Sequence, residues 1–390
     1  MYTTDEVLAA HKKAGGKLAV TPTVSLATKK DLSIAYTPGV AEICRLIAKN
    51  PSEAYEYTIK KNAVAVVTDG SAVLGLGNIG PEAALPVMEG KAILFKQFGG
   101  VDAYPICLNT QNPDEIVSIV KAIAPGFGGI NLEDISAPRC FEIEEKLQDI
   151  GIPVLHDDQH GTAIVVLAGL LNACKVTKRK IEDVRVVING AGAAGTAICN
   201  ILTDDTAGTN GSVHVKDVIV CDTKGIIGHH RKDLPEYKKK IADRTNTGKR
   251  AGTLQDALKG ADVFIGVSAP NVLSETMIKG MNNHPIIFAM ANPVPEIMPD
   301  KAHHAGAAVV ATGRSDFPNQ VNNALVFPGL FRGALDSRIP RFTPAMKIAA
   351  AYALAACVTS PTAEKIVPTL FEKNVALSIA AAVGELARKN

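Results

Sequence analysis

The sequence predicts an α/β protein made of two domains and a helical C-terminal tail. Short β-branched runs alternate with helical segments between Asn62 and Val154, and again between Val184 and Ala311. A glycine-rich turn in the second region follows directly on a buried strand. With 390 residues, of which 47% are hydrophobic, the chain is long enough for two separate cores.

The first region reads as alternating strands and helices of a parallel sheet. Asp69-Gly70 predicts a turn, and Ala72–Leu76 then predicts a strand that returns along the first one. The alternation of strands and helices along the chain predicts a parallel sheet. We predict strands at Ala63–Thr68, Ala103–Leu108, Gly129–Leu132 and Ile152–Leu155, and helices at Glu82–Phe98, Pro113–Ile123 and Pro138–Ile150.

A second α/β unit follows a helix predicted over Thr162–Cys174. The Ala-rich tail from Ala345 to Ala387 reads as helical, with a break near Pro361. We expect a catalytic domain over residues 1–160, completed by residues 323–390, and a second domain over residues 161–322. The strands of the second domain are predicted at Val184–Ile188, Val218–Cys221, Val263–Val267, Ile286–Met290 and Ala308–Ala311.

Composition favours a cytoplasmic enzyme. The 41 Lys and Arg nearly balance the 39 Asp and Glu, which argues against nucleic acid or an anionic membrane as a partner. None of the seven cysteines forms a C-x-x-C pair, as expected for reduced thiols. The segment Met1–Lys17 is too polar for a signal peptide. The longest apolar stretch, Thr162–Ala173, is shorter than the roughly 20 residues that span a bilayer.

The glycine-rich turn links the strand Val184–Ile188 to a helix predicted over Thr196–Leu202. It reads Gly190-Ala191-Gly192-Ala193-Ala194-Gly195 and fits the dinucleotide pattern G-x-G-x-x-G. The first glycine makes the turn, the second lets a pyrophosphate approach, and the third lets helix and strand pack. The helix N-terminus holds the phosphates. We therefore expect a Rossmann-type domain that binds NAD or NADP. The alternative is a structural turn in a flavodoxin-like unit.

The next strand ends in Asp222, which favours NAD. A carboxylate there accepts hydrogen bonds from ribose hydroxyls and repels the 2′-phosphate of NADP. The separation from Gly195, 222 − 195 = 27 residues, exceeds the usual ~20, and the polar insert Thr203–Ser212 accounts for the excess. Lys224 keeps NADP possible, because its ammonium group could reach a 2′-phosphate.

Four carboxylates follow two neighbouring strands. Glu133 and Asp134 end one strand, and Asp157 and Asp158 end the next. The carboxyl ends of parallel strands meet at one edge of a sheet, where these acids would repel one another. A hard divalent cation relieves that repulsion, and oxygen ligands suit Mg²⁺ or Mn²⁺. The alternative is that Asp134 and Asp158 cap helices. We expect His156 and His160 to lie behind the ligands as hydrogen-bonding partners.

Three further features have a plain structural interpretation beside a possible functional one. Lys91 lies in an apolar helix, where desolvation would lower its pKa toward that of a general base, or it could extend to solvent. Tyr36 stands before a Pro turn and could simply pack there. The segment Gly75–Gly80 fits G-x-G-x-x-G a second time, either as a β–α turn or as a backbone nest for a substrate carboxylate.

Taken together, several short segments carry a family resemblance that extends over nearly the whole chain. As an ordered set, they resemble the malic enzyme family in its short, prokaryote-type form. The segments are Tyr36-Thr37-Pro38-Gly39-Val40-Ala41, Thr68-Asp69-Gly70, Gly75-Leu76-Gly77, Glu89-Gly90-Lys91, Asn131-Leu132-Glu133-Asp134, His156–Ala163, Ala289–Pro293 and Gly313–Asn323.

The resemblance implies a metal-dependent oxidoreductase that converts malate to pyruvate and carbon dioxide while reducing NAD or NADP. It also implies oxaloacetate decarboxylation and a homodimer. By resemblance, Lys91 is the general base, Tyr36 is the general acid, and Asp157 is free to pair with Lys91. The implied metal ligands are Glu133, Asp134 and Asp158. The implied contacts to cofactor or substrate are Thr162, Asn292, Asn322 and Asn323.

One position departs from the family's long forms, which carry an Arg that clamps a malate carboxylate. The matching position here is Ala72, so we expect Gly77, Asn78 or the asparagines to bind the carboxylate instead. Two rival functions use the same residues or scaffold: a decarboxylase without net redox change, such as a malolactic enzyme, and a non-catalytic dinucleotide-binding regulator.

Overall fold

The computed structural model describes residues 3–203 and 213–389, so most of the polar insert 203–212 lies outside the described residues. The chain begins with four short helices: α1 (Thr4–Ala14), α2 (Lys29–Ala35), α3 (Val40–Lys49) and α4 (Ala54–Tyr57). Capping boxes at Thr3 and Thr28 start the first two helices. No residue from 3 to 62 is buried.

The first sheet has four parallel strands in the order β2-β1-β3-β4. Every residue of β1 is buried, as expected for a central strand covered on both faces. The predicted parallel β-α-β order is confirmed. The elements are β1 (Ala63–Thr68), α5 (Pro81–Gly99), β2 (Asp102–Cys107), α6 (Pro113–Ile123), β3 (Gly129–Leu132), α7 (Arg139–Lys146) and β4 (Val154–His156).

The expected return strand at Ala72–Leu76 is wrong. That segment is a loop with one isolated bridge between Val73 and Gly77. Leu74, Gly75 and Gly77 adopt positive φ angles, which a strand cannot accommodate. The loop is instead fixed to the neighbouring strand end, because the Ala72 N–H donates to the Asp134 carbonyl at 2.9 Å.

The second sheet has six strands in the order β10-β9-β8-β5-β6-β7, with β5 at the point where the order reverses. All strand pairs are parallel except β6 with β7. The strand β7 is a two-residue edge strand that was not predicted from the sequence. The elements are α8 (Asp157–Val176), β5 (Arg185–Asn189), α9 (Ala193–Thr203), β6 (Asp217–Asp222), β7 (Gly225–Ile226), α10 (Glu236–Arg244), α11 (Leu254–Leu258), β8 (Val263–Gly266), α12 (Glu275–Lys279), β9 (Ile286–Ala289), α13 (Pro299–His304) and β10 (Val309–Thr312).

The tail forms three helices: α14 (Phe327–Ser337), α15 (Pro344–Ala356) and α16 (Val375–Ala387). It returns to the first sheet, where the Phe95 ring of α5 lies 4.5 Å from the Phe327 ring and 5.3 Å from the Phe331 ring, between centroids. Within the described residues, no helix combines the length and the apolar composition needed to cross a membrane.

Candidate active site

The acids predicted to meet at the sheet edge do so. β3 pairs with β4 in the register Leu132 to His156, so the residues that follow each strand become neighbours. Carboxylate oxygens of Glu133, Asp134 and Asp158 all lie within 4.8 Å of one another. Asp157, the first residue of α8, is fully buried beside them.

Neither acid predicted as a possible helix cap has that role. α7 begins after Pro138 and α8 after His156, and neither helix has a side-chain cap. Asp158 Oδ2 instead accepts the backbone N–H of Asp134 at 2.8 Å, while Asp134 itself adopts a φ of 53°. The two strand ends are thus joined through their acids.

The electrostatics of this cluster suit a divalent cation. Burial and the Asp158 carboxylate raise the pKa of Asp134 to about 8, and burial also raises the pKa of Glu133 well above its usual value. Asp134 Oδ2 is buried and accepts no hydrogen bond within the described residues. Three convergent oxygen donors with an unsatisfied buried atom fit Mg²⁺ or Mn²⁺, which prefer oxygen ligands.

Lys91 reaches this cluster from α5 and is only 7% exposed. Its Nζ lies 2.7 Å from Asp157 Oδ2 and 2.8 Å from Glu133 Oε1. The same atom lies 4.3 Å from the centroid of the Phe327 ring. The expected pairing of Lys91 with Asp157 is therefore present in the structure, and the side chain does not extend to solvent.

The expectation that desolvation gives Lys91 a lowered pKa is wrong. Burial does act in that direction, but the carboxylates of Asp157, Glu133 and Asp158 outweigh it and raise the pKa of Lys91. The direction of the pKa shift therefore depends on the charges around the amine, which the sequence of the helix alone does not reveal.

Several residues that hydrogen-bond to the site residues were not predicted from the sequence. Asn131 donates from Nδ2 to Glu133 Oε2 at 2.8 Å. Glu144 of α7 accepts the His156 backbone N–H at 2.9 Å and lies 3.0 Å from His160 Nε2. Burial would raise the pKa of Glu144, but His160 and Lys347 lower it to about 2. His160 is therefore a hydrogen-bonding partner, as expected, but of Glu144 and not of a predicted ligand. The same expectation is wrong for His156, because neither of its ring nitrogens has a hydrogen-bond partner among the described residues.

A cavity of about 1050 Å³ opens beside the acids and reaches the glycine-rich turn. Most of the site residues predicted from the sequence contribute to its walls. They are Lys91, Glu133, Asp134, Asp158, Thr162, Gly192, Ala193, Ala194, Asn292, Asn322 and Asn323.

The glycine-rich turn has the geometry that phosphate binding requires. Gly190 adopts a φ of 121°, and a Cβ there would lie 2.5 Å from the Val267 carbonyl oxygen. A Cβ on Gly195 would lie 1.8 Å from the Gly190 oxygen, so this position packs helix on strand. A Cβ on Gly192 would meet no atom within 4 Å, which leaves open space beside the N-terminus of α9.

Asp222 ends β6 as predicted, but it is surrounded by cations. Arg231 Nη1 lies 2.7 Å from Oδ1, and Lys238 Nζ lies 2.6 Å from Oδ2. Burial would raise the pKa of Asp222, yet these hydrogen bonds lower it, so the group is ionised. Lys224, which seemed able to reach a 2′-phosphate, pairs with Asp233 at 2.7 Å.

Three of the residues predicted to bind substrate or to transfer a proton do not line the cavity. Gly77 does not line it, and the side chain of Asn78 is held away by two hydrogen bonds to Gln111, at 3.0 and 3.2 Å. Tyr36 is 67% exposed at the end of α2 and also does not line the cavity. The expected carboxylate-binding role of the Gly77-Asn78 turn therefore has no support in the structure.

Comparisons with known proteins agree with this geometry. Residues 15–148 match the family model "Malic enzyme, N-terminal domain", and residues 159–388 match "Malic enzyme, NAD binding domain". The chain is 53% identical to the bifunctional malic/malolactic enzyme of Bacillus subtilis, covering 99% of this chain and 93% of that protein. It is 54% identical to the NAD-dependent malic enzyme of Geobacillus stearothermophilus, covering 96% and 77%.

Among solved structures, the NAD-dependent malic enzyme from Thermotoga maritima superimposes with a TM-score of 0.92 at 50% sequence identity. The match covers 97% of this chain and 98% of that one.

Proposed function

The chain belongs to the malic enzyme family, and we propose that it carries out the family's reaction in the cavity beside Lys91. That reaction is the oxidative decarboxylation of malate to pyruvate and carbon dioxide, with NAD or NADP as the hydride acceptor. One observation supports placing the reaction in this cavity: a buried lysine, three convergent carboxylates and the glycine-rich turn all contribute to its walls.

The bound groups and the protein divide the chemistry between them. A divalent cation held by Glu133, Asp134 and Asp158 would polarise the oxygens of malate and offset the carboxylate charge, and a nicotinamide would accept the hydride. The bound cation would also offset the carboxylate charge that raises the pKa of Lys91. The neutral amine of Lys91 can then take the proton of the C2 hydroxyl as the hydride leaves C2. Asp157, 2.7 Å from Nζ, orients the amine for this transfer.

Oxidation converts C2 to a carbonyl, which lets the C4 carboxylate leave as carbon dioxide. The electrons of the broken C3–C4 bond remain on the pyruvate enolate, and C3 then requires a proton. We assign that proton to the Tyr36 phenol. Because Tyr36 does not line the cavity of its own chain, we propose that it serves the cavity of the second chain in a homodimer. Asn322 and Asn323 hold the substrate in this proposal, and Thr162 and Asn292 hold the cofactor. Residues 1–160 with 323–390 form the catalytic domain, and residues 161–322 form the cofactor domain.

A malolactic reaction is the second candidate, because the Bacillus subtilis relative carries both activities in its name. The two reactions differ in their products. With malate, Mn²⁺ and NAD, we expect one pyruvate for each reduced cofactor. Lactate without accumulation of reduced cofactor would favour the malolactic reaction. The absence of both pyruvate and lactate would favour a non-catalytic regulator.

We propose a preference for NAD, smaller than an unpaired aspartate would give. The Asp222 carboxylate repels a 2′-phosphate, but Arg231 and Lys238 offset its charge. Asp222→Asn removes the repulsion and leaves both cations available. We therefore expect the ratio of kcat/KM for NADP over NAD to rise about tenfold or more, on the scale of a charged hydrogen bond.

Kinetics with both cofactors test this prediction. Asp233→Asn, which removes a carboxylate from the same group of ion pairs without changing Asp222, is the matched control. An unchanged ratio in Asp222→Asn, or a wild-type preference for NADP, would contradict the role of Asp222.

We also propose a cytoplasmic location. Four of the seven cysteines, Cys140, Cys174, Cys199 and Cys221, are buried as free thiols in the cores. Free thiols of this kind are usual in proteins of reducing compartments.

A further inference from the structure

A fully buried carboxyl group in the second domain takes no part in the proposed chemistry. Glu296 lies in the loop between β9 and α13, and none of its surface is exposed. Burying a carboxyl group is costly unless hydrogen bonds compensate for the lost water. Glu296 does not line the cavity, so any effect that it has on the cofactor must pass through the groups that it contacts.

The two oxygens of Glu296 hold two different loops. Oε1 accepts the backbone N–H of Ser268 at 3.0 Å, and Oε2 accepts the backbone N–H of Ala291 at 2.9 Å. Ser268 follows β8 and Ala291 follows β9, and these two strands are parallel neighbours. Both residues line the cavity. Glu296 therefore joins, from outside the cavity, two strand ends that form part of its wall.

The surrounding chain is built around this bridge. A Cβ on Gly266, the last residue of β8, would lie 2.4 Å from Cδ of Glu296, so a larger residue there would displace the carboxylate. The hydrogen bonds also continue to β5, because Asn189 Nδ2 donates to Ser268 Oγ at 2.7 Å. Asn189 directly precedes the glycine-rich turn. One set of contacts thus connects the ends of β5, β8 and β9.

The order of the strands indicates which half of the cofactor lies over these loops. The glycine-rich turn, which suits a pyrophosphate, follows β5, and Asp222, which suits the adenosine ribose, ends β6. β8 and β9 lie on the opposite side of β5 from β6. A dinucleotide that crosses β5 therefore places its nicotinamide half over the ends of β8 and β9, in the cavity that Lys91 also lines.

Asn292 depends on the bridge for its position. Its backbone follows Ala291, whose N–H is bound by Glu296. Its side chain is packed against Gly313, where a Cβ would lie 2.7 Å from Asn292 Nδ2. With the backbone fixed on one side and little space on the other, the side chain has little freedom to move. Loss of the Glu296 contact would release the backbone and shift Asn292.

Building on the proposed function, we propose that Glu296 is a positioning residue that fixes Ser268 and Asn292 against the nicotinamide half of the cofactor. Glu296 touches neither the cofactor nor malate and acts through the two backbone N–H groups that it accepts. Without it, the hydride acceptor would be misplaced relative to C2 of malate. The adenosine half, which lies over β5 and β6, would be held as before.

Glu296→Gln tests the proposal, because it keeps the size of the side chain but replaces one acceptor with an amide donor that faces a backbone N–H. We expect the Kd of NAD to rise about tenfold, on the scale of a lost hydrogen bond to a charged group. The Kd of ADP, which has the adenosine and pyrophosphate but no nicotinamide, should not change. Calorimetric titration of the full chain measures both, without added Mn²⁺, which ADP itself binds.

Turnover supplies a second readout. With malate, Mn²⁺ and saturating NAD, kcat of Glu296→Gln should fall by ~10 to 10²-fold, the range expected when reacting groups are misplaced by about 1 Å. The rise in Tm that Mn²⁺ causes should be unchanged, since none of the three proposed metal ligands contacts Glu296.

Asp262→Asn is the matched control. Asp262 is also a buried carboxylate with two hydrogen bonds, from the Arg185 backbone N–H and from Asn282 Nδ2, both at 2.8 Å. It lies at the amino ends of β5 and β8, the edge of the same sheet that is opposite the cofactor loops. The substitution should therefore lower the Tm as Glu296→Gln does and leave the Kd of NAD unchanged.

Glu296→Asp separates the bridge from its charge. It keeps the carboxylate, but the side chain is one methylene shorter and cannot reach both N–H groups, so we expect the same selective loss of NAD affinity. This variant also decides the question if Glu296→Gln does not fold. Unchanged NAD affinity in a folded variant, or equal losses for NAD and ADP, would overturn the proposal. The titrations need no turnover, so the proposed function fails separately, if the wild type does not oxidise malate.

Discussion

Replacing Lys91 with alanine is expected to abolish malate oxidation, with a loss in kcat of at least ~10³-fold. The amine is 2.7 Å from Asp157 and 2.8 Å from Glu133, and we propose it as the group that takes the hydroxyl proton. The dinucleotide turn contains its own backbone donors, so NAD binding should remain within a fewfold of wild type. Steady-state kinetics and a titration of NAD binding measure the two effects.

The control for Lys91→Ala must separate chemistry from folding, because breaking a buried ion pair costs about 3–5 kcal/mol. A small primary amine added to the variant can enter the space left by the side chain and take the proton in its place. We expect partial recovery of the rate that grows with the concentration of unprotonated amine. A variant within tenfold of wild type without added amine would remove Lys91 from the proposed role.

Asp158→Asn is expected to eliminate activity by weakening the binding of Mn²⁺ at least about 100-fold, more than the loss of an outer-shell partner. The substitution keeps the side-chain shape but removes one of three convergent charges. A cation at a free concentration of 100 times its Kd adds about 2.7 kcal/mol to the free energy of unfolding of the wild type. Mn²⁺ should therefore raise the Tm of the wild type and leave that of the variant almost unchanged.

Asp114→Asn is the matched control, because the same change then falls on a side chain that is 81% exposed. It should leave both the activity and the Mn²⁺-dependent rise in Tm intact. Equal Mn²⁺ affinity of Asp158→Asn and wild type, measured by titration, would show that Asp158 does not bind the cation.

The convergence of the acids could be predicted because parallel strands dictate it. Glu133 and Asp158 follow neighbouring strands, and any such pair meets at the carboxyl edge of the sheet. The glycine-rich turn could also be predicted from the sequence, because the spacing of Gly190, Gly192 and Gly195 reflects local backbone requirements. Each motif lies at the end of a strand and in the turn that follows it, so it can be recognised from a short stretch of sequence.

The remaining features depend on contacts between distant parts of the chain. Glu144 reads as one acid among several in a polar helix, and only its contact with His160 and the charge of Lys347 mark it as buried and ionised. The raised pKa of Lys91 depends on acids from two other strand ends. Ala72–Leu76 has the composition of a strand, but its positive φ angles and the bond from Ala72 to Asp134 make it a loop.

The most direct test of the central claim is a side-by-side assay of wild type, Lys91→Ala and Asp158→Asn with malate, Mn²⁺ and either NAD or NADP. Reduced nicotinamide is followed by absorbance, and pyruvate is measured in the same samples. We expect equal amounts of reduced cofactor and pyruvate from the wild type and neither from the variants. Malate oxidation by either variant at a rate close to wild type would show that the chemistry takes place without this cluster.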